Sequence, residues 1–313
     1  MSQVLLTETF RSTSGDVRWG RVGEDGQEPV VLCHGTPFSS YVWRGIAQAL
    51  AGTGRHQVFV WDMPGYGESD MHTGQDVSLA AQGRVLAELL AQWQLHEPSV
   101  VAHDFGGAVS LRAHLLHGAR YRALALVDPV ALAPWGSPSF RLLGRHADVF
   151  AQLPSALHRA LVREYVSSVG GPGLHPAVID RLVEPWLGEH GQPAFYRQIA
   201  QADQAHTDEI QDRYGEIGIP VLVCWGEDDG WIPLAKGREL AARIPGARFA
   251  PITGAGHLVQ EDNPAELTAA LMDFLREQAA WTRPSRLARP ASPARRRREP
   301  AGTTACPAPV RRR

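Results

Sequence analysis

The chain has little cysteine and no apolar run of membrane length. Only three cysteines occur among 313 residues, with Cys33 and Cys224 inside apolar stretches and Cys306 near the end. This excludes a disulfide framework and predicts a reducing, cytoplasmic location. The first residues, Met-Ser-Gln-Val-Leu-Leu-Thr-Glu, lack the charged and apolar segments of a secretion signal. No apolar run approaches the roughly 20 residues of a membrane span, so neither secretion nor membrane insertion is expected.

Motifs for cofactors and metals are also missing. The histidines do not have metal-ligand spacing, and neither Gly65 and Gly67 nor Gly106 and Gly107 belong to a dinucleotide-binding fingerprint. No nucleic-acid module is visible apart from a basic C-terminal stretch. We therefore expect no cofactor, no metal and no nucleic-acid partner.

The net charge of −2 hides an opposite charge at one end. Residues 282–313 contain ten arginines and one glutamate, so they carry +9 and leave −11 on the first 281 residues. Their proline, alanine and arginine content leaves little to bury, which predicts a disordered tail. A solvated extension is favoured over a segment that binds nucleic acid or an anionic surface.

Residues 99–110, Ser-Val-Val-Ala-His-Asp-Phe-Gly-Gly-Ala-Val-Ser, carry the clearest local pattern. An apolar run enters, small residues surround the reversal, and apolar residues at helical spacing follow, which predicts a strand, a sharp turn and a helix. Asp104 stands at the apex of that turn. A helix cap is the simpler interpretation of an aspartate at this position.

A carboxylate at such an apex restricts the chemistry. Attack on a carbonyl carbon would form an anhydride, which is a poor route for turnover of esters or amides. A carboxylate is ionised at neutral pH without a base, and its attack on a saturated carbon forms an ester that water can cleave. The residue type therefore predicts an alkylating substrate.

Two later segments end in an acid and a histidine. The apolar run from Ile219 leads to Asp228 and Asp229, and a short run from Phe249 leads through a glycine turn to His257. The order nucleophile, acid, histidine is the one typical of the hydrolase triad on an α/β sheet. Asp229 is preferred to its neighbour, and Asp128, after a predicted strand at 123–127, is the alternative acid.

Taken together, these segments resemble the α/β-hydrolases with an aspartate nucleophile, which include epoxide hydrolases and haloalkane and fluoroacetate dehalogenases. Residues 31–37, Val-Leu-Cys-His-Gly-Thr-Pro, and 61–69, Trp-Asp-Met-Pro-Gly-Tyr-Gly-Glu-Ser, are similar to two further family segments. The resemblance covers about residues 5–280. It implies an α/β-hydrolase fold, a mostly parallel central sheet with helices on both faces and an inserted helical lid.

The resemblance also implies boundaries and roles. Residues 1–130 and 215–281 would form the core and 131–214 the lid. Asp104 would be the nucleophile, and the backbone N–H groups of Thr36 and Phe105 would form the oxyanion hole. His257 would activate water, with Asp229 holding its tautomer. His34 and His103, which flank the site in sequence, are interpreted as structural.

The predicted lid separates the candidate reactions through its leaving-group contacts. Helical patterns cover Pro154 to Val169 and Ala194 to Ala205. An opening epoxide needs a proton, which a tyrosine can supply. Tyr196 resembles the later lid tyrosine of epoxide hydrolases and is the first choice as proton donor, with Tyr165 second.

Carbon–halogen hydrolysis is the alternative reaction. Haloalkane dehalogenases typically have asparagine where Thr36 stands and tryptophan where Phe105 stands, so Trp135 or Trp186 of the lid would have to bind the halide. Fluoroacetate dehalogenases carry arginines at the positions of Phe105 and Ala108, which disfavours that substrate. A lyase or ligand-binding protein on the same fold is the third hypothesis. The expected partner is a small hydrophobic electrophile, with water as co-substrate.

Overall fold

A computed structural model describes residues 6–279 and Arg311. The predicted basic tail, 282–313, therefore lies outside the described residues except at that one arginine. Residues 6–279 belong to one compact unit. Among the helices of the described residues, none combines the length and the apolar character needed to cross a bilayer.

Eight strands within residues 6–279 form one sheet, in the order β1-β2-β4-β3-β5-β6-β7-β8. Their bounds are β1 Glu8–Ser12, β2 Gly15–Val22, β3 Glu28–Cys33, β4 His56–Trp61, β5 Ser99–His103, β6 Ala123–Val127, β7 Val221–Gly226 and β8 Arg248–Ile252. The β1–β2 and β2–β4 pairs are antiparallel, and all pairs from β4 through β8 are parallel. The predicted mostly parallel sheet is confirmed.

The central strands are buried on both faces. Every residue of β4, β5, β6 and β7 is buried, as expected for parallel strands covered by helices on each side. This explains why the segments of β5, β6 and β7 are mainly apolar runs rather than alternating ones, and why the sequence predicts strands there.

Twelve α-helices accompany the sheet within the described residues. Their bounds are α1 Arg44–Gly52, α2 Leu79–Gln92, α3 Phe105–Leu116, α4 Pro138–Arg145, α5 Ala147–Phe150, α6 Ser155–Ser167, α7 Pro176–Val183, α8 Gly188–Ala200, α9 Ala205–Gln211, α10 Leu234–Arg243, α11 Val259–Asp262 and α12 Pro264–Ala279. Helix α2 packs on α3, and α1 packs on α12. Helices α1, α3 and α10 also contact strands of the sheet.

Helices α4 to α9 all lie in the insertion between β6 and β7. The predicted helix from Pro154 to Val169 corresponds to α6. The predicted helix from Ala194 to Ala205 is wrong at both ends, because α8 spans Gly188–Ala200. Pro193 lies inside α8, although a proline normally marks the first turn of a helix. The division into core and lid at residues 131 and 214 stays a prediction.

The parallel strands bring the predicted site residues to one edge of the sheet. Asp104 follows β5, Asp128 follows β6, Asp229 lies three residues beyond β7, and His257 lies five residues beyond β8. The carboxyl ends of parallel strands meet at the same edge, where ligands of open α/β sheets bind. The candidate site is therefore assembled by strand order.

Candidate active site

Asp104 occupies a strained turn between β5 and α3. Its φ of 50° and ψ of −118° are rare for a residue with a side chain. The N–H of Asp104 donates to the carbonyl of Val127 at 3.2 Å, and its carbonyl accepts from the N–H groups of Gly107 at 2.9 Å and Val130 at 3.1 Å. The neighbouring strand and the start of the helix thus hold the strained residue, a pattern that marks functional sites.

Glycines make room for this turn. A Cβ on Gly35 would lie 2.4 Å from the Cβ of Asp104, and a Cβ on Gly106 would lie 2.5 Å from the carbonyl oxygen of His34. Both distances are shorter than any real contact between such atoms. Side chains at these positions would therefore displace the Asp104 turn.

One backbone N–H group binds the Asp104 carboxylate, and the first N–H of α3 is adjacent to it in the chain. The N–H of Thr36 donates to Asp104 Oδ1 at 2.7 Å. Phe105 is the first residue of α3, so its N–H has no partner within the helix. The positive end of the α3 dipole also favours an anion at this point. Both residues expected to form an oxyanion hole lie next to the carboxylate.

Two hydrogen bonds join the loop around Thr36 to the inserted helices. The hydroxyl of Thr36 donates to Gln198 Oε1 at 2.7 Å, and the indole N–H of Trp186 donates to the carbonyl of Pro37 at 2.7 Å. Both bonds are buried. The insertion between β6 and β7 is therefore tied directly to the loop that orients Asp104.

His257 lies between two carboxylates. Its Nδ1 donates to Asp229 Oδ2 at 2.9 Å, and its Nε2 lies 3.4 Å from Asp104 Oδ2. The second distance is that of an ion pair and is too long for a normal hydrogen bond. His257 is fully buried. The structure thus brings together all three residues of the predicted triad in the predicted order.

Charges around the imidazole shift the pKa values in opposite directions. Burial lowers the pKa of His257, but Asp229 and Asp104 outweigh it and leave that pKa well above its usual value. Burial raises the pKa of Asp229, yet the charge and hydrogen bond of His257 give a net lowering. Asp229 Oδ1 also accepts from the N–H groups of Trp231 at 2.7 Å and Ile232 at 2.9 Å. Both shifts favour the charged form of each partner in the His257–Asp229 pair.

The two other candidate acids have different surroundings. Asp228 is exposed, whereas Asp128 is fully buried and accepts from the N–H of Gly226 at 2.9 Å. Ligand atoms of Asp128, Asp229 and His257 lie within 4.8 Å of one another, a spacing compatible with a metal site. Two backbone N–H groups and His257 take three of the roughly four acceptor positions of Asp229, so we interpret the group as an acid network and not as a metal site.

His34 and His103 make structural contacts. His34 Nε2 accepts from the N–H of Met63 at 2.9 Å, and its Nδ1 donates to the Gly35 carbonyl at 2.9 Å. His103 Nε2 bonds the carbonyl of His257 at 2.8 Å. Burial and the neighbouring His257 lower the pKa of His103 to about 3. His103 is therefore neutral and supports the loop of His257.

A small cavity opens in front of Asp104. Its volume of about 40 Å³ is far below the roughly 300 Å³ at which pockets for drug-sized ligands begin. Its lining is mostly apolar and aromatic, and Asp104 is the one charged residue among those that form it. The lining residues are Thr36, Asp104, Phe105, Val130, Trp135, Gly136, Ser137, Phe140, Tyr165, Trp231 and Ile232.

The two predicted lid tyrosines lie in different places. Tyr165 lines the cavity. Tyr196 is absent from that lining, and its hydroxyl lies 2.9 Å from His158 Nδ1. Because His158 Nε2 donates to the carbonyl of Trp186 at 2.7 Å, its Nδ1 accepts the proton of Tyr196. Of the two tyrosines, Tyr165 and not the preferred Tyr196 therefore lies at the cavity.

Burial, followed by the charge of Asp104 and the nearby Tyr66, raises the pKa of Tyr165 well above its usual value. Burial raises the pKa of Tyr196 to about 12. The sequence could not separate the two tyrosines, since both follow helical patterns and the rotation of each helix depends on its packing.

The indole groups suggested for halide binding already have partners. The indole N–H of Trp135 donates to Thr207 Oγ1 at 2.8 Å, and that of Trp186 bonds Pro37. A third indole, that of Trp231, donates to Ser168 Oγ at 3.1 Å. The suggestion that Trp135 or Trp186 offers a halide donor is therefore corrected.

Trp231 lies at the site, but the sequence patterns did not predict a role for it. Its ring lies 4.9 Å from the ring of His257 and 5.0 Å from that of Tyr165, measured between centroids. The face of the Trp231 indole packs against the ring of His257. Its position two residues after Asp229 was the available signal.

The chain is similar to known proteins over most of its length. A sequence model of the alpha/beta hydrolase family matches residues 30–271. A solved alpha/beta hydrolase fold protein from Burkholderia ambifaria is 46% identical, with a TM-score of 0.83, and the match covers 87% of this chain and 99% of that chain.

Two relatives carry names for different reactions. Epoxide hydrolase A of Mycobacterium tuberculosis is 28% identical over 319 aligned positions, covering 86% of this chain and 97% of that protein. A 2-hydroxy-6-oxononadienedioate/2-hydroxy-6-oxononatrienedioate hydrolase of Cupriavidus pinatubonensis is 26% identical over 259 residues, covering 80% of this chain and 87% of that protein. Overall similarity to these relatives therefore does not identify the reaction.

Proposed function

Since the chain belongs to the alpha/beta hydrolase family, we propose that it hydrolyses an epoxide to a diol through an ester on Asp104. The observation that carries the proposal is the carboxylate itself. Asp104 stands where a serine would attack carbonyl carbon, with Thr36 N–H on one oxygen and His257 near the other. Tyr165 lines the same cavity and supplies the acid that an epoxide needs.

In the first step, Asp104 Oδ2 attacks one epoxide carbon and the bond from that carbon to the ring oxygen breaks. Oδ1, held by the N–H of Thr36, becomes the carbonyl oxygen of the new ester. The Tyr165 hydroxyl gives its proton to the ring oxygen as negative charge develops there.

Ester formation then switches His257 from acid to base. The resting imidazolium is stabilised by two carboxylates, and esterification removes the charge of Asp104. The pKa of His257 falls as a result. The imidazolium gives up its proton, which restores the hydroxyl of the Tyr165 phenolate left by ring opening, and the neutral imidazole is left facing the ester, with Asp229 fixing its tautomer.

Water completes the cycle. His257 takes a proton from water as the water oxygen attacks the ester carbonyl, and negative charge collects on Oδ1. The N–H groups of Thr36 and Phe105 stabilise this oxyanion. Collapse expels the diol, which takes the proton back from His257. The proton of the new Asp104 carboxyl restores the imidazolium, so one epoxide and one water yield one diol.

The cavity supports a small, uncharged reactive group. Asp104 is the one charge in the lining, and aromatic rings form the opposite wall. An anionic reactive group would be repelled by Asp104, whereas a neutral epoxide fits the apolar surroundings.

A reducing compartment is part of the proposal. The thiols of Cys33 and Cys224 are unpaired and buried. Burial raises the pKa of Cys33 to about 12, so this thiol does not react as a thiolate. Two buried thiols that form no disulfide support the expected cytoplasmic location.

Trapping the ester tests the proposed function. His257→Gln removes the base and leaves Asp104 intact, so the ester should accumulate. Intact-protein mass spectrometry after exposure to mixed epoxides and haloalkanes should show addition of a whole epoxide, with peptide mapping to Asp104. The double variant His257→Gln, Asp104→Ala should show no such adduct.

Other outcomes would change the assignment. Addition of an alkyl group without its halogen would establish carbon–halogen hydrolysis. The absence of any adduct across a broad panel, together with tight ligand binding that Asp104→Ala leaves unchanged, would favour a lyase or binding protein. A single turnover of the unaltered chain in H₂¹⁸O adds a second check, because the label should enter Asp104 and not the diol.

A further inference from the structure

An apolar groove meets the cavity on its outer side. The groove has a volume of about 530 Å³, and Ser137, Tyr165 and Trp231 line both the groove and the cavity. These three residues form the boundary between the two spaces, so a chain that leaves the cavity past Tyr165 and Trp231 would enter the groove. We call this space the outer groove, bounded by α4, α5 and α6.

The lining of the outer groove is suited to hydrocarbon. Leu142 and Leu143 of α4, Phe150 of α5 and Leu161 of α6 supply its apolar surface. Leu142 is 45% exposed, so part of its side chain is open to a ligand in the groove. Glu164 is the one charged residue in this lining.

A second groove on the other side of Phe140 has a different chemistry. It also has a volume of about 530 Å³, and it shares Trp135 and Phe140 with the cavity. Two arginines, Arg141 and Arg145, and one aspartate, Asp203, are the charged residues in its lining, which gives it a net charge of +1. A ligand with an anionic end would favour this second groove, because its arginines attract a carboxylate that Glu164 of the outer groove would repel.

We propose that the outer groove binds an uncharged alkyl chain attached to the reactive carbon. The proposal rests on the proposed function for the reaction at the Asp104 end, but the chain-binding part stands on the groove alone. The substrate class is then a terminal epoxide on a neutral hydrocarbon chain, with the ring in the cavity and the chain beyond Tyr165.

Binding of the product class tests the groove without turnover. Straight-chain 1,2-diols of increasing length are titrated against the full chain by calorimetry. Each added methylene should lower Kd about threefold to fourfold while it is buried in the groove. Diols that end in a carboxylate should bind more weakly than neutral diols of the same length.

Two variants on one helix locate the effect. Leu161→Gln places a polar group in the outer groove, and Leu157→Gln changes an exposed leucine of α6 outside the lining. The ratio of Kd for a short diol to Kd for a long diol should fall about tenfold in Leu161→Gln, which corresponds to the loss of two buried methylenes. Leu157→Gln should leave that ratio within about twofold.

Each outcome has one meaning for the groove. A Kd that does not depend on chain length, or tighter binding of the carboxylates, would overturn the proposal, and the second result would direct the chain to the arginines. Length-dependent binding that Leu161→Gln weakens would support it. If the matching epoxides are then not hydrolysed, the groove assignment stands and the proposed function fails.

A second inference concerns Asp128, which the proposed reaction does not use. Its φ of 42° is unusual for a residue with a side chain. Oδ1 accepts from the N–H of Gly226, while Oδ2 is buried without a hydrogen-bond partner among the described residues. Such an orphaned oxygen requires an explanation.

The charged groups around Asp128 supply that explanation. Asp229 and His257 face it within 4.8 Å, and the buried thiol of Cys224 lies nearby on β7. If Asp128 were ionised together with Asp104 and Asp229, three buried carboxylates would share one imidazolium. Two buried carboxylates in proximity do not both ionise.

We propose that Asp128 is a positioning residue whose protonated carboxyl donates a hydrogen bond from Oδ2 to Asp229. The bond would occupy a remaining acceptor site of Asp229 and hold that carboxylate against His257. Burial and the charge of Asp229 also keep the pKa of Asp128 well above its usual value. A neutral acid here would orient Asp229 and leave the charge balance of the site unchanged.

The protonation of Asp128 can be measured directly. In the unaltered chain near neutral pH, infrared spectroscopy with ¹³C-labelled aspartate should show a carboxylic acid band, and Asp128→Asn should remove it. NMR of ring-labelled histidine, assigned by the signal lost in His257→Gln, should show that Asp128→Asn changes the pKa of His257 by less than about 0.3 units.

The opposite result is equally clear. If Asp128 is an anion, the carboxylic acid band is absent and Asp128→Asn lowers the pKa of His257 by about one unit or more, since a negative charge has been removed. Activity provides a further distinction. Asp128→Asn keeps a donor and should retain kcat/KM within about threefold, whereas Asp128→Leu should lower it about 10- to 100-fold.

Discussion

The two walls of the cavity present different side chains. The wall at the strand ends carries the Asp104 carboxylate, which is paired with the fully buried His257, and hydrogen bonds from backbone or side chains orient both residues. The wall from the insertion carries the rings of Trp135, Phe140 and Tyr165. In the proposed reaction, the first wall moves protons and stabilises anions, and the second excludes water and shapes the substrate. Substitutions on the two walls should therefore have distinct kinetic signatures.

Removing the nucleophile should have the largest effect. Asp104→Ala deletes the group that forms the ester, so kcat should fall by about 10⁴-fold or more. Steady-state hydrolysis of a terminal epoxide measures the loss, and Asp228→Asn, which changes an exposed acid near the same edge, serves as the control. Retention of a substantial fraction of the activity by Asp104→Ala would place the nucleophile elsewhere.

Asp229→Asn should come next. The amide cannot stabilise an imidazolium and favours the wrong tautomer of His257, so kcat should fall about 10³- to 10⁴-fold. Asp228→Asn alters the adjacent carboxylate and should change kcat by less than about twofold. A pre-steady-state assay should show that ester hydrolysis slows more than ester formation. Equal losses in the two variants would contradict the assignment of Asp229.

The tyrosines sharpen the comparison on the aromatic wall. Tyr165→Phe removes the proposed proton donor and should lower kcat for epoxides about 10²-fold or more. Tyr196→Phe alters a hydroxyl bonded to His158 and should change kcat by less than about threefold. Measuring single-turnover ester formation with both variants tests this. A larger loss in Tyr196→Phe would restore the sequence-based preference.

The smallest effect concerns stability and pH. Folding lowers the pKa of His103 from 6.5 to about 3, so between these values the unfolded chain takes up a proton that the folded protein does not. Stability should fall as pH drops through this range, by up to about 1.4 kcal/mol per pH unit from this residue. Urea unfolding of His103→Gln should show a shallower loss toward acid pH than that of the unaltered chain. Identical slopes would contradict the prediction.

The charged wall could be predicted because its signals are local. The segment 99–110 contains the strand, the turn and the helix start that hold Asp104, and two further strand ends carry Asp229 and His257. Parallel strands then bring these ends to one edge. The sequence shows which residues follow each strand, and the order of the parallel strands in the sheet brings those residues close together.

The aromatic wall could not be predicted in the same way. Tyr165 and Tyr196 both lie on amphipathic helices, and periodicity does not show which buried face meets the cavity and which meets another helix. The placement of α6 and α8 depends on contacts between helices far apart in sequence. Asp128 was visible as a strand-end acid, but its pairing with Asp229 depends on side-chain geometry that no spacing encodes.

The bonds from Gln198 to Thr36 and from Trp186 to Pro37 limit how this enzyme can be re-engineered. A chimera that receives another protein's helical insertion would leave the Thr36 hydroxyl and the Pro37 carbonyl buried without partners. The recipient loop would then have to be exchanged as well. Libraries that vary the insertion should therefore keep Trp186 and Gln198 constant. Alternatively, these two residues should be varied together with residues 36 and 37.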